Sequence, residues 1–183
     1  MDFEIVLEKL AREWDRLQIR YAAIGGFALG VLGAPRATMD LDFLVHRDDL
    51  SKLHDALTAF GYKRVFHTEN VSQYRHDDQA WGSVDFIHAF RKISLAMLAR
   101  AKSYSAFGGK HRVRAVDAED VIGLKVQAMA NDPGRRTQEL NDIERLAALY
   151  GPKLDWERIQ DFYRLFGLED EALRLKERFG NAE

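Results

Sequence analysis

The fold of this chain is decided by residues 24–45, which read Ile24-Gly25-Gly26-Phe27-Ala28-Leu29-Gly30-Val31-Leu32-Gly33-Ala34-Pro35-Arg36-Ala37-Thr38-Met39-Asp40-Leu41-Asp42-Phe43-Leu44-Val45. The pattern predicts a strand that ends in a glycine pair, a short helix over residues 27–32, and a second strand over residues 39–46. Alternation along the second strand places Asp40 and Asp42 on one face and apolar side chains on the other. Backbone N–H groups of glycines can approach an anion at the start of a helix, and carboxylate oxygens are hard ligands for a divalent cation. The stretch therefore predicts a place where phosphate and metal meet.

Size and composition limit the classes of protein that this chain could belong to. With 183 residues it is long enough for one domain with a sizeable core, or for a core with a small helical appendage. A formal net charge of -2 argues against a strongly basic nucleic-acid coat, and no DNA partner is expected. The chain has no cysteine, which fits a reducing cytosol, and it has no apolar run near the ~20 residues that span a bilayer. We expect a cytoplasmic protein without a membrane partner.

Helical and strand patterns on both sides of this stretch predict an α+β protein. A helix over residues 3–19 and a strand over 20–24 precede it, and a helix that Asp48 or Asp49 could cap runs on to residue 60. Three closely spaced strands at 62–67, 71–76 and 81–88 favour antiparallel pairing, and a helix over 91–101 leads to a hairpin around residues 108–109. From residue 117 onward the patterns are helical only. We expect a small mixed or antiparallel sheet with helices packed on one face in residues 1–116, followed by a docked C-terminal helical region, residues 117–183.

A third carboxylate, Asp85, strengthens the metal interpretation. A single Asp-x-Asp pair is common on protein surfaces and is normally just solvated. Asp85, however, lies in a strand pattern between the apolar residues Val84 and Phe86. Three carboxylates on one sheet face would raise one another's pKa values unless a cation neutralised them. Mg²⁺, or Mn²⁺ in its place, is therefore the expected cofactor, with Asp40, Asp42 and Asp85 as its ligands.

These residues resemble the signature of the nucleotidyltransferase superfamily, which has a DNA polymerase beta-like fold. That signature is a hydrophobic residue with Gly-Gly or Gly-Ser, a spacer, and Asp-hydrophobic-Asp/Glu-hydrophobic. Ile24-Gly25-Gly26 and Asp40-Leu41-Asp42-Phe43 fill every position, and Asp85 stands where the family places its third carboxylate. The form Gly-Gly-x-Ala-Leu, then Gly-x-x-Arg-x-Thr-x-Asp-x-Asp, is most similar to the bacterial minimal nucleotidyltransferases and to the AbiEii/AbiGii-type toxins.

The resemblance implies roles for the matching residues. Asp40, Asp42 and Asp85 would be catalytic and would bind the metal, and Gly25 and Gly26 would cradle the phosphates of the nucleotide. Gly26 stands where the family often has Ser, so the backbone must make the contact that a hydroxyl would make.

Arg36 and Thr38 flank the turn into the second strand. Arg36 could bind the β- or γ-phosphate of the nucleotide through its fork of N–H donors, or it could cap the preceding helix at the surface. Thr38 is either a further nucleotide contact or a residue that leads into the strand.

A weaker resemblance extends into the helical region. Lys125 lies within the apolar stripe of its predicted helix, where a buried ammonium needs an anionic partner, and Asp142 on the next helix could be that partner. The AbiEii-like proteins have a Lys-x-x-Ala element and a later Asp before a hydrophobic pair, which Lys125-Val126-Gln127-Ala128 and Asp142-Ile143 resemble. This implies that Lys125 contacts the nucleotide phosphates and that Asp142 helps to bind the nucleotide or to activate the acceptor. A structural ion pair between the two helices is the alternative.

The residues and the resemblance together predict an enzyme, a metal-dependent nucleotidyltransferase. It would move an NMP from an NTP such as ATP to an acceptor hydroxyl of tRNA, another RNA or a protein, and it would release pyrophosphate. The resemblance also implies a place in a toxin–antitoxin system, as the toxin or nucleotidyltransferase component, with a cognate antitoxin or toxin protein as partner. Two alternatives remain: a non-catalytic protein that keeps the fold and binds nucleotide or a partner, and a transferase that modifies an aminoglycoside or lincosamide antibiotic.

Overall fold

The computed structural model describes residues 1–180, and its helices and strands alternate before they give way to helices alone. The first part contains α1 (Phe3–Arg16), β1 (Tyr21–Ile24), α2 (Gly25–Val31), β2 (Leu41–His46), α3 (Leu50–Ala59), β3 (Lys63–His67), β4 (Val71–Arg75), β5 (Ser83–Ala89), α4 (Lys92–Arg100), β6 (Lys102–Ala106) and β7 (His111–Ala115). The second part contains α5 (Ala118–Asn131), α6 (Arg136–Tyr150), α7 (Trp156–Arg164) and α8 (Glu169–Phe179). The predicted α+β class, with a sheet followed by a helical region, is confirmed.

The strands form one mixed sheet in the order β3-β4-β5-β2-β1-β7-β6. β3, β4 and β5 pair antiparallel, as their close spacing predicts, and β6 and β7 form the predicted antiparallel hairpin. β2 lies at the centre, where it pairs antiparallel with β1 and parallel with β5. The strands that hold the predicted carboxylates are therefore neighbours in the middle of the sheet.

One face of these central strands packs on α1 through aromatic side chains. Trp14 of α1 is fully buried, and its ring centroid lies 4.9 Å from that of Phe43 on β2 and 5.8 Å from that of Phe86 on β5. Because successive residues of a strand point to opposite faces, Asp42 and Asp85 project from the face opposite α1. Because the apolar face of these strands packs on α1, both carboxylates point away from α1.

The C-terminal helices dock on the core beside residues 24–45. The Tyr150 hydroxyl on α6 donates a hydrogen bond of 2.8 Å to the Leu32 carbonyl, and Arg145 Nη2 donates one of 2.7 Å to the Pro35 carbonyl. The division of the chain at residue 116 stays a prediction, and residues 181–183 of the expected helical region lie outside the described residues. Within residues 1–180, no helix has both the length and the apolar character needed to cross a membrane.

Element boundaries near the predicted site differ from the sequence prediction. α2 begins at Gly25 rather than at residue 27, and β2 begins at Leu41 rather than at residue 39, so Asp40 lies in a bend before the strand. Asp49, one of the two predicted N-cap residues, stands at the N-cap position of α3, but its side chain makes no capping hydrogen bond. Asp49 is buried, and its Oδ2 accepts hydrogen bonds from the backbone N–H and the Nε of Arg20, at 3.0 and 2.7 Å. A buried carboxylate gains more from these charge-assisted bonds than from a helix cap.

Candidate active site

The site is built on a row of side chains that crosses three neighbouring strands. In the register of the sheet, Asp42 on β2 lies opposite Asp85 on β5, and Asp85 lies opposite Gln73 on β4. Cross-strand neighbours share a face, so the three side chains project together. Gln73 Nε2 donates a hydrogen bond of 2.9 Å to Asp85 Oδ2, which orients that carboxylate. Sequence reasoning missed Gln73, although the buried residues Ser72 and Tyr74 on either side of it place it on this face.

Burial and repulsion raise the pKa values of the two paired carboxylates. The pKa of Asp42 is raised to about 6, first by burial and then by the charges of Asp85 and Asp40, while Arg135 and Arg36 act in the opposite direction. Burial also raises the pKa of Asp85, and the charge of Asp40 adds to the effect. Asp40 therefore acts on both carboxylates from the bend before β2. A cation between these groups would remove the repulsion.

The chemistry of these donors fits a magnesium ion. Within residues 1–180, no three His, Asp or Glu side chains are arranged to hold a metal ion by themselves. In phosphoryl-transfer sites, however, Mg²⁺ commonly uses one or two carboxylates and completes its coordination shell with substrate phosphates and water. Asp42 and Asp85 supply such carboxylates, and a cation would offset both the burial and the neighbouring negative charges that raise the pKa of Asp42. The joint binding of a metal by Asp40, Asp42 and Asp85 stays a prediction.

The glycine pair lets the backbone lie directly against the aspartate strand and the following turn. Gly25 has a φ of 63°, and a Cβ built on it would overlap the carboxylate of Asp42. A Cβ on Gly26 would lie 2.8 Å from Cβ and Oγ1 of Thr38 and 3.3 Å from Cζ of Arg36. Both positions therefore need glycine, Gly25 also for its left-handed backbone conformation. The structure places the pair beside the carboxylates, as the stretch predicts.

Arg36 and Thr38 lie in the turn between α2 and β2. Thr38 Oγ1 donates a hydrogen bond of 3.3 Å to the carbonyl of Asp40 and so steadies the residue before the strand. Arg36 donates through Nη1 to the Ala37 carbonyl and through Nε to Asp142 Oδ2, both at 2.9 Å, rather than capping α2. A groove of about 760 Å³ opens between α2, this turn and the turn between β6 and β7. Arg36 is a partly exposed cation at its edge.

Lys125 and Asp142 meet inside the helical region. Lys125 on α5 is 5% exposed, and its Nζ lies 2.6 Å from Oδ2 of Asp142 and 2.8 Å from Oε2 of Glu139, both on α6. The predicted ion pair between the two helices is confirmed, and Glu139 is a second partner that sequence reasoning missed. Its position three residues before Asp142, on the same face of a helix, is the signal that could have identified it. A contact of Lys125 with nucleotide phosphates stays a prediction.

The predicted site residues form two groups that Arg36 joins. The first group surrounds the glycine pair and consists of Gly25, Gly26, Thr38, Asp40, Asp42 and Asp85. The second group is the pair Lys125 and Asp142. Arg36 touches both, because it lies against Gly26 and bonds Asp142.

A glycine pair at the end of one strand, with carboxylates on the next strand and on the parallel strand beside it, defines the nucleotidyltransferase class of enzymes. The sequence profile of a family described as uncharacterised nucleotidyltransferase matches residues 3–175, and the chain belongs to this family. No curated protein matches the chain.

Solved structures share the fold over most of the chain. The solution structure of the antibiotic-resistance factor ANT(2'')-Ia matches with a TM-score of 0.67 at 16% identity, over 97% of this chain and 99% of that one. The lincomycin-bound lincosamide antibiotic adenylyltransferase LnuA matches with a TM-score of 0.57 at 14% identity, over 78% and 95%. An antigenic nucleotidyltransferase-like protein from Paracoccidioides brasiliensis matches with a TM-score of 0.56 at 19% identity, over 96% and 93%. These likenesses establish the fold.

Proposed function

We propose that this nucleotidyltransferase depends on a divalent metal ion and transfers an NMP from an NTP to an acceptor hydroxyl. The observation that carries the proposal is the pair Asp42 and Asp85, which lie side by side on parallel strands with raised pKa values. The glycine pair brings backbone N–H groups to the same place. Negative side chains that attract a cation thus lie next to backbone donors that suit an anion.

The proposed reaction divides the work among these residues. The acceptor oxygen bonds to the α-phosphorus of the NTP, the bond from that phosphorus to the bridging oxygen breaks, and pyrophosphate leaves. Mg²⁺ bound by Asp40 and Asp42 would neutralise charge on the triphosphate and on the leaving pyrophosphate. Asp85 would help to complete the metal site and would take the proton of the acceptor hydroxyl, for which its raised pKa suits it better than an ordinary carboxylate. Gln73 would hold Asp85 in the orientation for this transfer.

The triphosphate would lie along the backbone of Gly25 and Gly26 toward Arg36. The Arg36 side chain is 23% exposed, so its guanidinium remains open to an anion although Asp142 holds its Nε. Its planar fork of donors suits phosphate oxygens. Thr38 would add a contact beside Gly26.

For the acceptor we propose a hydroxyl of tRNA, another RNA or a protein, the acceptor class that the resemblance to AbiEii-type nucleotidyltransferases implies. A toxin–antitoxin role with a cognate partner protein, and a cytoplasmic location, belong to the same proposal.

An antibiotic acceptor is the second candidate. ANT(2'')-Ia and this chain cover each other almost completely in the structural match, so the likeness in fold extends over nearly the full length of both chains. LnuA shows the same fold with a lincosamide bound.

Labelling experiments test both candidates. The purified protein is incubated with each α-labelled NTP and Mg²⁺ or Mn²⁺, in separate reactions with total RNA, with protein from a cell lysate and with a panel of aminoglycosides and lincosamides. We expect label on RNA or protein, and loss of the label when the metal is chelated. Label on an antibiotic alone would select the second candidate, and NTP binding without any transfer would favour a non-catalytic protein.

Variants connect the transfer to the carboxylates. We expect Asp42→Asn to lower transfer by about 10² or more, because mutagenesis of single charge-stabilising groups in enzymes has effects of that size. Asp55→Asn, which changes an exposed carboxylate on α3, is the matched control and should leave transfer unchanged. Transfer at the wild-type rate by the double variant Asp42→Asn/Asp85→Asn would overturn the proposed mechanism.

A further inference from the structure

A buried series of alternating charges runs from the glycine pair into the helical region. Lys125 lies at its centre and bonds two carboxylates of α6, Asp142 and Glu139, which are 2% and 1% exposed. Each carboxylate also bonds an arginine: Asp142 accepts from Nε of Arg36 at 2.9 Å, and Glu139 accepts from Nη2 of Arg135 at 2.5 Å. We name these five residues the charge series. Its three cations and two anions leave one excess positive charge.

The two ends of the charge series reach the surface, whereas its middle does not. The side chains of Arg36 and Arg135 are 23% and 56% exposed, and that of Lys125 is 6% exposed. Arg36 lies against Gly26, and the charges of Arg36 and Arg135 both act on Asp42. The two arginines belong to two separate elements, the turn before β2 and the turn before α6, and the bonds of the charge series connect them.

The ends keep donors for a ligand, and the middle does not. A guanidinium has five N–H donors. The intramolecular bonds described above use Nε and Nη1 of Arg36 and Nη2 of Arg135. The Lys125 ammonium, in contrast, is enclosed with two carboxylates at 2.6 and 2.8 Å, and moving it toward a substrate would leave both of them buried without their partner.

We propose that Arg36 and Arg135 form a two-armed clamp on the triphosphate, and that Lys125, Asp142 and Glu139 are positioning residues that hold the two arms. The proposal rests on the proposed function, because it presumes an NTP at this site. A free arginine side chain loses rotamer entropy when a ligand immobilises it. A carboxylate that already holds the arginine removes part of this loss, so binding becomes tighter without any contact between that carboxylate and the nucleotide.

The clamp assigns Arg135 and Glu139 to the site and changes the expected role of Lys125. In this arrangement Lys125 acts on the phosphates through Asp142 and Arg36 on one side and through Glu139 and Arg135 on the other. One buried ammonium thus sets the position of two arginines that come from distant parts of the chain. Loss of either carboxylate should weaken one arm and leave the other in place.

Binding of ATP and of adenosine, measured by calorimetry with the full chain, tests the clamp. We expect Arg135→Ala to weaken ATP binding about five- to tenfold and to leave adenosine binding unchanged, because only the triphosphate meets the arms. Arg136→Ala is the matched control: it removes the neighbouring arginine, which pairs with Glu171 on α8, and it should leave ATP binding unchanged. Arg135 is more than half exposed, so its variant should fold.

A double-mutant cycle tests whether Asp142 acts through Arg36. Asp142→Asn should weaken ATP binding about tenfold in the wild-type background and raise the KM for NTP more than it lowers kcat. In the Arg36→Ala background the same change should have little further effect. Asp120→Asn changes a buried carboxylate on α5, the helix of Lys125, and weakens its bond to Arg100 of α4. This variant controls for a general loss of stability and should not change ATP affinity.

The outcomes separate the clamp from the proposed function. The clamp would be overturned if Asp142→Asn weakened ATP binding equally with and without Arg36, or if Arg135→Ala left ATP binding unchanged. Either result would count against the clamp even if the wild type transfers nucleotide. ATP binding with the expected dependence, in a protein that transfers no label, would support the clamp and refute catalysis. A wild type that binds no NTP would overturn both.

Discussion

Replacing Asp42 by Asn should stabilise the fold at neutral pH, although we expect the same change to lower transfer. Without metal, Asp42 ionises against burial and against the charges of Asp85 and Asp40, which together raise its pKa from 3.8 to about 6. At about 1.4 kcal/mol per pH unit, this difference makes the ionised folded state about 3 kcal/mol less stable than it would be with an unperturbed carboxyl. Asn keeps the shape without the charge. We therefore expect Asp42→Asn to raise the free energy of unfolding by about 1–3 kcal/mol at pH 8 in metal-free buffer.

The gain in the free energy of unfolding that Asp42→Asn brings should increase as the pH rises. Below the unfolded pKa of 3.8, the Asp42 carboxyl is protonated in both states, so its ionisation does not affect stability. Between 3.8 and about 6 the unfolded chain has lost the proton and the folded chain still binds it, so the stability of the wild type falls as pH rises. Above that range Asp42 is ionised in both the folded and the unfolded state, so the loss of wild-type stability no longer changes with pH. The difference between variant and wild type should thus grow from about pH 4 to about pH 7 and then level off.

Urea unfolding at about pH 4, 6 and 8 measures this difference, once with a chelator and once with Mg²⁺. The exposed-site control Asp55→Asn should change the free energy of unfolding by no more than about 0.5 kcal/mol at any pH. Mg²⁺ should stabilise the wild type, because an ion that binds only the folded state shifts the equilibrium toward the folded state. The difference in the free energy of unfolding between Asp42→Asn and the wild type should therefore become smaller. A variant less stable than the wild type at pH 8 without metal, or a gain of equal size at pH 4, would refute the reasoning.

Three further predictions concern single residues of the site and of the core beneath the sheet. Gly25→Ala should lower the free energy of unfolding by about 1–3 kcal/mol, because Gly25 has a φ of 63° and an added Cβ would overlap Asp42. Gly30→Ala, in open space on the same helix, should raise the free energy of unfolding by up to about 1 kcal/mol. Urea unfolding that ranks the two variants in the opposite order would contradict this prediction. Trp14→Ala should cost about 3–5 kcal/mol in the same measurement, since the ring is fully buried between the helix and the sheet; a loss below about 1 kcal/mol would show that the aromatic contacts are not the core of the fold. Gln73→Leu removes the hydrogen bond that lowers the pKa of Asp85, so the pKa of Asp85 should rise. The acid limb of the pH profile of transfer should then move to higher pH. An acid limb that does not move would exclude Asp85 as the proton acceptor.

Patterns within single elements predicted which side chains could take part in the site. Alternation along residues 39–46 placed Asp42 on the face opposite Phe43, and the structure has Phe43 packed on α1 and Asp42 turned away from it. The apolar stripe around Lys125 predicted a buried ammonium that needs an acidic partner, and the structure supplies one in Asp142. These features are readable because side-chain direction repeats every 2 residues in a strand and every 3.6 in a helix.

Contacts between elements were determined only by the tertiary structure. Asp42 lies beside Asp85 because β2 and β5 pair in parallel register, and Gln73 joins them only because β4 is the next strand. Arg36 meets Asp142, 106 residues later in the chain, because α6 docks on the turn after α2. Glu139 meets Lys125 because α5 and α6 pack against each other.

The sequence by itself determined the parts of the site: a glycine pair, carboxylates on one strand face, and an ammonium in an apolar stripe. The tertiary structure decided which parts meet and which charges remain free for a ligand. The physical reason is that local periodicity sets the direction of each side chain, whereas strand register and helix docking follow from burial of the whole core, in which Trp14, Phe43 and Phe86 come from three elements. No segment of the chain contains that information alone.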